Sequence, residues 1–407
     1  MRPSGRRVLY ISYDGVLEPL GESQVVSYLE PLSAGAEITL LSFEKPADLA
    51  DRRRVEGMRR RFARAGIAWI VRRYRKWPPV LSTAIDIASG WRVACRWARA
   101  ERRTTGIIHA RGYVPALIAV LTKRTSASRF LFDMRGFWVD EKVEAGHWPP
   151  GGILFRVGKR CERWFLAEAD AIVSLTHAGV RELSALGSPL PSTPVEVIPT
   201  CADLARFSPA PPDERLRLEL GLDGALVVGC IGTLSNWYLR EDTLAYLAWL
   251  SRKFDRMKAL VVTREDHDRL RADAVRQGLP PERLVLARAP FEQMPAFVRL
   301  MSVGLFFIRP CFSKRASAAT KLAEFLGCGV PVVINDGIGD SGEIVRDSRT
   351  GVVLAETTQQ AFEASLDGVR QMLADSTIAE RCRRVAEQKF SLERGVAHYA
   401  ALYEHLS

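Results

Sequence analysis

SKRASAATKLAEFLGCGVPVV, running from Ser313 to Val333, reads as a helix that feeds directly into a strand. Leu322, Phe325 and Leu326 recur at i, i+3 and i+4, the spacing of one apolar helix face. Gly327-Cys328-Gly329 stops the helix, and the apolar run from Val330 to Ile334 is of the kind buried on both faces of a parallel sheet. Ahead of the helix, Lys314 and Arg315 are followed by the small residues Ala316, Ser317, Ala318, Ala319 and Thr320. Small residues let a backbone approach a ligand closely, and the first N–H groups of a helix have no partner within it. With Lys321 in the first turn, this end suits a diphosphate. Glu324, one turn on, is a carboxylate placed for the vicinal hydroxyls of a ribose. The same residues also read as an ordinary helix start followed by a solvated acid, so the nucleotide reading must draw on the rest of the chain.

Outward from that unit the alternation of strand and helix continues in both directions. Leu226–Gly232, Ala259–Thr263, Leu284–Ala287 and Val303–Ile308 are further apolar runs in the same half. In the first half, runs at Val8–Ser12, Ile38–Phe43, Ile67–Val71, Ile107–Ala110, Arg129–Asp133 and Ala171–Leu175 are separated by helical patterns, one of them from about Ser82 to Arg102. A Pro/Ser loop at Pro189–Pro194 leads to a last run, Val195–Pro199, and Cys201–Pro209 reads as a hinge. Repeated β-α-β order predicts two doubly wound parallel sheets, with ligands beyond the carboxyl ends of the strands. Polar residues gather at those ends: Asp14 and Gly21, His109 and Arg111, Asp133 and Arg135, Thr176 and His177.

The 407 residues suffice for two or three domains, and 47% hydrophobic with 26% charged residues is ordinary for a globular protein. No apolar run approaches the ~20 residues that cross a bilayer. The basic start, Met1–Arg7, runs straight into a short strand and not into the longer apolar region of a secretory signal, so the expectation is a cytoplasmic protein. Seven cysteines stand singly with no metal-ligand spacing, which predicts reduced and mostly buried thiols and no zinc site. The net charge of +11 is concentrated between Asp51 and Lys76, where arginines interleave with Phe62, Trp69, Tyr74 and Trp77. A solvated helix face, a patch for an anionic membrane and a nucleic-acid surface all fit that stretch, the first two best. No nucleic-acid-binding module is recognisable.

With both halves laid out, the chain resembles a GT-B glycosyltransferase of the retaining family 4 type along nearly its whole length. Ala169–Thr176 is similar to that family's "aDaviavS" strand, and Val197–Asp203 with Arg206-Phe207 to its "vIpnGvD..rF" hinge. Ser313–Val333 resembles the acidic donor motif followed by "GxPVV", and Gly342–Leu354 its "gGipEvv…tGllv" segment. The resemblance implies two Rossmann-like domains with a cleft between them: residues 1–200 for the acceptor and 201–385 for the nucleotide-sugar. It also implies a crossover helix within about 386–407 that returns to the first domain.

The activity so implied is metal-independent hexosyl transfer, without a cofactor, from a UDP- or GDP-sugar to a glycan or lipid-linked acceptor in cell-surface polysaccharide synthesis. The enzyme would work in the cytoplasm or on the inner membrane face, with the basic 52–76 stretch as the membrane contact. A nucleotide-sugar-binding protein without catalysis, and a GT-B sugar-nucleotide epimerase, remain alternatives. By resemblance Glu324, Ser317, Thr320, Gly21, Gly232 and Thr233 bind the donor. Arg240, Lys321, Arg135 and Asp133 are the catalytic candidates, and His109 and Arg111 face the acceptor. Several positions depart from the family pattern. Ala316 replaces the first of two glutamates, Thr233 stands at the position of an arginine, Arg240 lies slightly beyond that of a lysine, and Arg135 takes the place of a histidine.

Overall fold

A computed structural model describes residues 5–100, 105–185 and 193–407. The first residues of the basic start, the end of the helix expected to reach Arg102 and most of the Pro189–Pro194 loop lie outside them. The chain folds as two units. One comprises Met1–Pro199 with Arg315–Ser317 and Leu392–Ser407; the other comprises Thr200–Lys314 and Ala318–Ser391.

The first unit is built on seven parallel strands: β1 (Arg7–Ser12), β2 (Glu37–Glu44), β3 (Ala68–Arg73), β4 (Ile107–Arg111), β5 (Arg129–Asp133), β6 (Ala171–Ser174) and β7 (Val195–Val197). They are ordered β3-β2-β1-β4-β5-β6-β7. β1 is buried along its whole length, because helices cover both faces of a parallel sheet and leave no polar side for alternation. The order reverses between β1 and β4, the topological switch point at which such sheets receive ligands. Register pairs Ser12 with Arg111 and Arg111 with Asp133, so three strand ends meet there. The final helix, Leu392–His405, belongs to this unit and buries Tyr399 and Tyr403.

The second unit has six parallel strands: β8 (Leu226–Ile231), β9 (Met257–Val262), β10 (Leu284–Ala287), β11 (Val303–Phe306), β12 (Val332–Asn335) and β13 (Gly351–Leu354). Their order is β10-β9-β8-β11-β12-β13, reversing between β8 and β11. The helix of the opening stretch runs Thr320–Gly327, and its expected apolar face of Leu322, Phe325 and Leu326 is fully buried. Each such side chain contributes on the order of 1.5–3 kcal/mol on burial. The paired parallel sheets with their covering helices are the doubly wound architecture that the sequence predicts. One strand, β13, falls where the sequence suggested only a motif. Its half-buried side chains at the sheet edge carry too weak an apolar signal to stand out. Among the described residues no helix is long and apolar enough to cross a membrane.

Candidate functional site

In the second unit the site grows from the switch point. After β8 the chain turns at Gly232, whose φ of 74° lies in the left-handed region that favours glycine. A β-carbon there would sit 3.4 Å from Cε of Lys321. The loop can therefore cross the first turn of the Thr320–Gly327 helix, and the Lys321 ammonium donates to the Thr233 carbonyl at 2.8 Å. The same ammonium lies 3.4 Å from the centroid of the Tyr238 ring, whose π face favours a cation. Lys321 and Glu324 are each only 9% exposed. Burial pushes the lysine down to about 7, against the pull of Cys230, Glu324 and Glu265. Burial likewise pushes Glu324 up to about 7, opposed by Lys321 and Arg206. No side chain caps this helix at Ala319, so its first N–H groups are left without the usual side-chain acceptor. A buried cation and uncapped amides together make a place where an anion gains more than it would in water.

The loop itself is fixed by a residue that the sequence reading passed over. One Glu265 oxygen accepts from the hydroxyl of Thr233, from the Ser235 hydroxyl at 2.6 Å and from the N–H groups of Leu234 and Ser235 at 3.1 and 3.0 Å. Burial works against its charge, yet the Ser235 and Thr233 hydroxyls and Arg240 hold it below the ordinary carboxylate range. Arg240, expected to meet phosphate, already has partners in the structure. Its guanidinium is bonded to Glu265 at 2.6 Å and to Asp273 at 2.9 Å, so two carboxylates offset its charge. Thr233 likewise spends its hydroxyl on Glu265 and offers Lys321 its carbonyl. The only sequence signal for Glu265 was its position just past the end of β9, beside the strand that carries the loop.

Trp237 and Tyr238, in the loop after β8, both carry lysines. Lys314 lies 3.8 Å from the Trp237 centroid, as Lys321 does over Tyr238. Thr320 opens the Thr320–Gly327 helix, whereas Ser317 belongs to the short segment that clusters with the first unit. In that segment the Arg315 carbonyl accepts from the Thr176 hydroxyl at 2.9 Å. A β-carbon on Gly179 would come within 2.9 Å of that of Ala316. The buried alanine is thus packed against a helix that is itself kept small, which accounts for the missing glutamate at this position.

The first unit places four of the expected residues in one buried cluster at the ends of β4 and β5. The Asp133 carboxylate is fully buried, with Arg111 and His109 3.6 Å away and Arg135 at 3.8 Å. Tyr399 donates to Asp133 at 3.1 Å, and the Tyr403 hydroxyl lies 2.8 Å from Nδ1 of His109. Burial opposes the Asp133 charge, but Arg135, His109 and Arg111 hold its carboxyl below the usual range. Burial also lowers the pKa of His109, which keeps the imidazole neutral. With Nε2 turned to Asp133, Nδ1 is the natural acceptor of the Tyr403 proton. Asp133 is therefore no surface acid awaiting substrate. It is the counter-charge beside Arg111 and Arg135, the buried centre of the cluster in which this catalytic candidate stands. Tyr399 and Tyr403 gave no sequence signal beyond membership of an amphipathic last helix. Gly21 is explained by packing, because a β-carbon there would strike the Gly15 carbonyl at 2.0 Å.

Among the described residues no group of three His, Cys, Asp or Glu is arranged to hold a metal ion. Residues 24–201 match the model of the glycosyl transferase 4-like domain. Solved structures with the same fold include Anabaena HepE in complex with UDP, at 15% identity and a TM-score of 0.72, covering 98% of this chain and 100% of that one. A glycosyltransferase from Rickettsia africae follows at 14% and 0.73, with 99% and 98% covered. WaaG, a glycosyltransferase involved in lipopolysaccharide biosynthesis, matches at 13% and 0.67, with 97% and 99% covered. No curated protein sequence matches the chain significantly. The first unit thus carries a match to the glycosyl transferase 4-like domain over most of its length, and the whole chain shares the fold of these solved structures.

Proposed function

We propose that the protein is a retaining glycosyltransferase that moves a hexose from a nucleotide-sugar to a glycan or lipid-linked acceptor in cell-surface polysaccharide synthesis. The observation that carries this reading is the buried Lys321–Glu324 pair on the first turns of an uncapped helix at the switch point of the second sheet. Diphosphate oxygens at the helix start would take Lys321 and the free amides, and ribose hydroxyls would take Glu324. HepE, with the same fold, was solved with UDP and with UDP-glucose, which favours uridine as the base. In the reaction the bond from the anomeric carbon to phosphate breaks, and an acceptor hydroxyl attacks from the same face. Its proton passes to the departing phosphate oxygen, so no protein nucleophile is needed. Fixed cations and N–H groups stabilise the leaving charge in place of a metal.

The test is a panel of UDP- and GDP-sugars, scored for slow release of the free nucleotide with and without a chelator. Release that a chelator leaves unchanged supports the proposal; neither release nor binding with any donor ends it. Glu324→Gln, an isosteric change, should weaken donor binding about 10- to 100-fold, the usual worth of a hydrogen bond to a charged group. Near-normal affinity by calorimetry would remove Glu324 from the ribose site.

Lys321 gives the site a pH signature. With its pKa at about 7 when unliganded, the amine is largely neutral under mildly alkaline conditions. A bound diphosphate favours the ammonium, so binding draws a proton in. Above about pH 8 Glu324 is already ionised and the uptake is the lysine's alone, so affinity should fall by up to about tenfold per pH unit. Calorimetry of UDP binding in buffers of different ionisation enthalpy measures the uptake directly, and a pH-independent affinity would contradict it.

A second reading has specific support. Arg240 is neutralised by Glu265 and Asp273, and Ala316 stands where the family carries an acid. Both weaken transfer more than donor binding. A catalytically impaired nucleotide-sugar-binding protein would bind UDP-sugars and release no UDP from any of them.

A further inference from the structure

The membrane contact expected of the basic 52–76 stretch is divided by the structure in an unexpected way. Arg61 on the helix Arg52–Arg64 is paired with Glu22 and Glu30, and Arg60 with Glu56. Phe62 is buried, and the Trp69 indole donates to Ser42 at 2.8 Å. Phe62 is thereby withdrawn from any partner, and Trp69 is half-buried with its indole N–H engaged and Arg59 over its ring. Trp77, just beyond, is 81% exposed. The helix that follows it, Pro79–Ala100, begins with its polarity reversed. Ser82 and Asp86 are buried, whereas Val80, Leu81 and Ile85 are 65, 58 and 44% exposed.

Two further observations say what covers this apolar patch. From Gly57 to Ala100 the only carboxylate is Asp86. That group is turned inward, accepting from Arg75 at 2.7 Å and from the Tyr13 hydroxyl at 3.1 Å. Arg73 and Lys76, both exposed, precede Trp77 without a neighbouring acid in sequence. An isologous contact with a second copy would press these cations against their own counterparts. An anionic lipid surface instead matches them with phosphates and accepts the apolar side chains beneath.

The patch is also well placed. It follows β3, and the Tyr13–Asp86 bond ties it to the loop after β1, so it lies at the same carboxyl edge of the sheet as Arg111 and Asp133.

We propose that Trp77, Val80, Leu81 and Ile85 form a wedge that inserts at the headgroup–acyl boundary of an anionic membrane, with Arg73 and Lys76 on the lipid phosphates. Its use in bringing a lipid-linked acceptor to the first unit rests on the transferase reading; the insertion itself does not.

The test is co-sedimentation with vesicles of phosphatidylcholine, alone or mixed equally with phosphatidylglycerol. Wild-type protein should sediment with the mixed vesicles, part of it surviving a rise in salt that screens surface charge. A Trp77→Ser/Leu81→Ser/Ile85→Ser variant alters only exposed side chains and should bind at least about tenfold more weakly at either salt, given the apolar area it removes. An Arg73→Gln/Lys76→Gln variant should lose the preference for the anionic lipid. Wild-type levels of binding by the triple serine variant, or no binding by wild type, would overturn the wedge. So would a wild-type dimer in lipid-free solution that the serine variant converts to monomer, since a second copy would then be the occupant. UDP release from the donor, measured alongside, should be the same in the serine variant as in wild type. Release without vesicle binding removes only the wedge, and vesicle binding without release removes only the transferase.

Discussion

Lys321→Met should lower kcat/KM for the sugar donor by about a hundred- to a thousandfold, the usual loss when one preorganised donor to a leaving oxyanion is removed. The methionine keeps the stem that packs under Tyr238 and removes only the charge. Stability should move the other way. The folded pKa of Lys321, about 7, lies below its ordinary 10.5, so between those values the unfolded chain binds more protons. The amine therefore weighs against folding at and below neutral pH, and its burden lifts as pH rises through that window. Methionine relieves the burden, so the variant should melt at or above the wild-type temperature near neutrality while turning over far less donor. A lysine kept only for packing or for its bond to the Thr233 carbonyl would give the opposite pattern, lower stability with turnover intact. Nucleotide release and thermal unfolding, measured on the same preparations, separate the two.

What the sequence disclosed and what it withheld follow from where the information lies. Strands buried on both faces announce themselves as apolar runs, so β1, β8, β11 and β12 were legible with boundaries nearly right. Lys321 and Glu324 were legible because i and i+3 on a helix share a face whatever the rest of the chain does. The pairing of Arg240 was not legible because it depends on Glu265 and Asp273. Those residues follow the next strand, and the parallel register of β8 with β9 that brings them near leaves no local trace. The same holds for Tyr399, which reaches Asp133 across 266 residues of chain. Trp69 and Trp77 looked alike as aromatics among arginines. One lies within β3 and turns inward to Ser42; the other follows the end of that strand and points to solvent. Local pattern fixes elements and neighbours on one element, while the charge state of a site is set by contacts between elements.

The cluster around Asp133 shows the second large effect. Asp133→Asn should destabilise the first unit by about 3–5 kcal/mol, because the buried guanidinium of Arg111 and the partly buried one of Arg135 lose their counter-charge while staying in place. Melting should fall by about 10 °C for a unit of this size. The amide still accepts from Tyr399, so the loss is electrostatic and not a cavity. Adding Arg111→Met to the aspartate variant removes one of the stranded cations and should recover part of the stability, a coupling that a surface ion pair would not give. The pH dependence has a fixed sign. The folded pKa of Asp133 is depressed, so its contribution is complete above the ordinary carboxylate value and is lost as pH falls through the folded one. Wild type should therefore show an acid limb in its stability profile that the asparagine variant lacks. If the variant instead melts like wild type and loses turnover, Asp133 touches the substrate, and its role as the anchor of Arg111 and Arg135 is wrong.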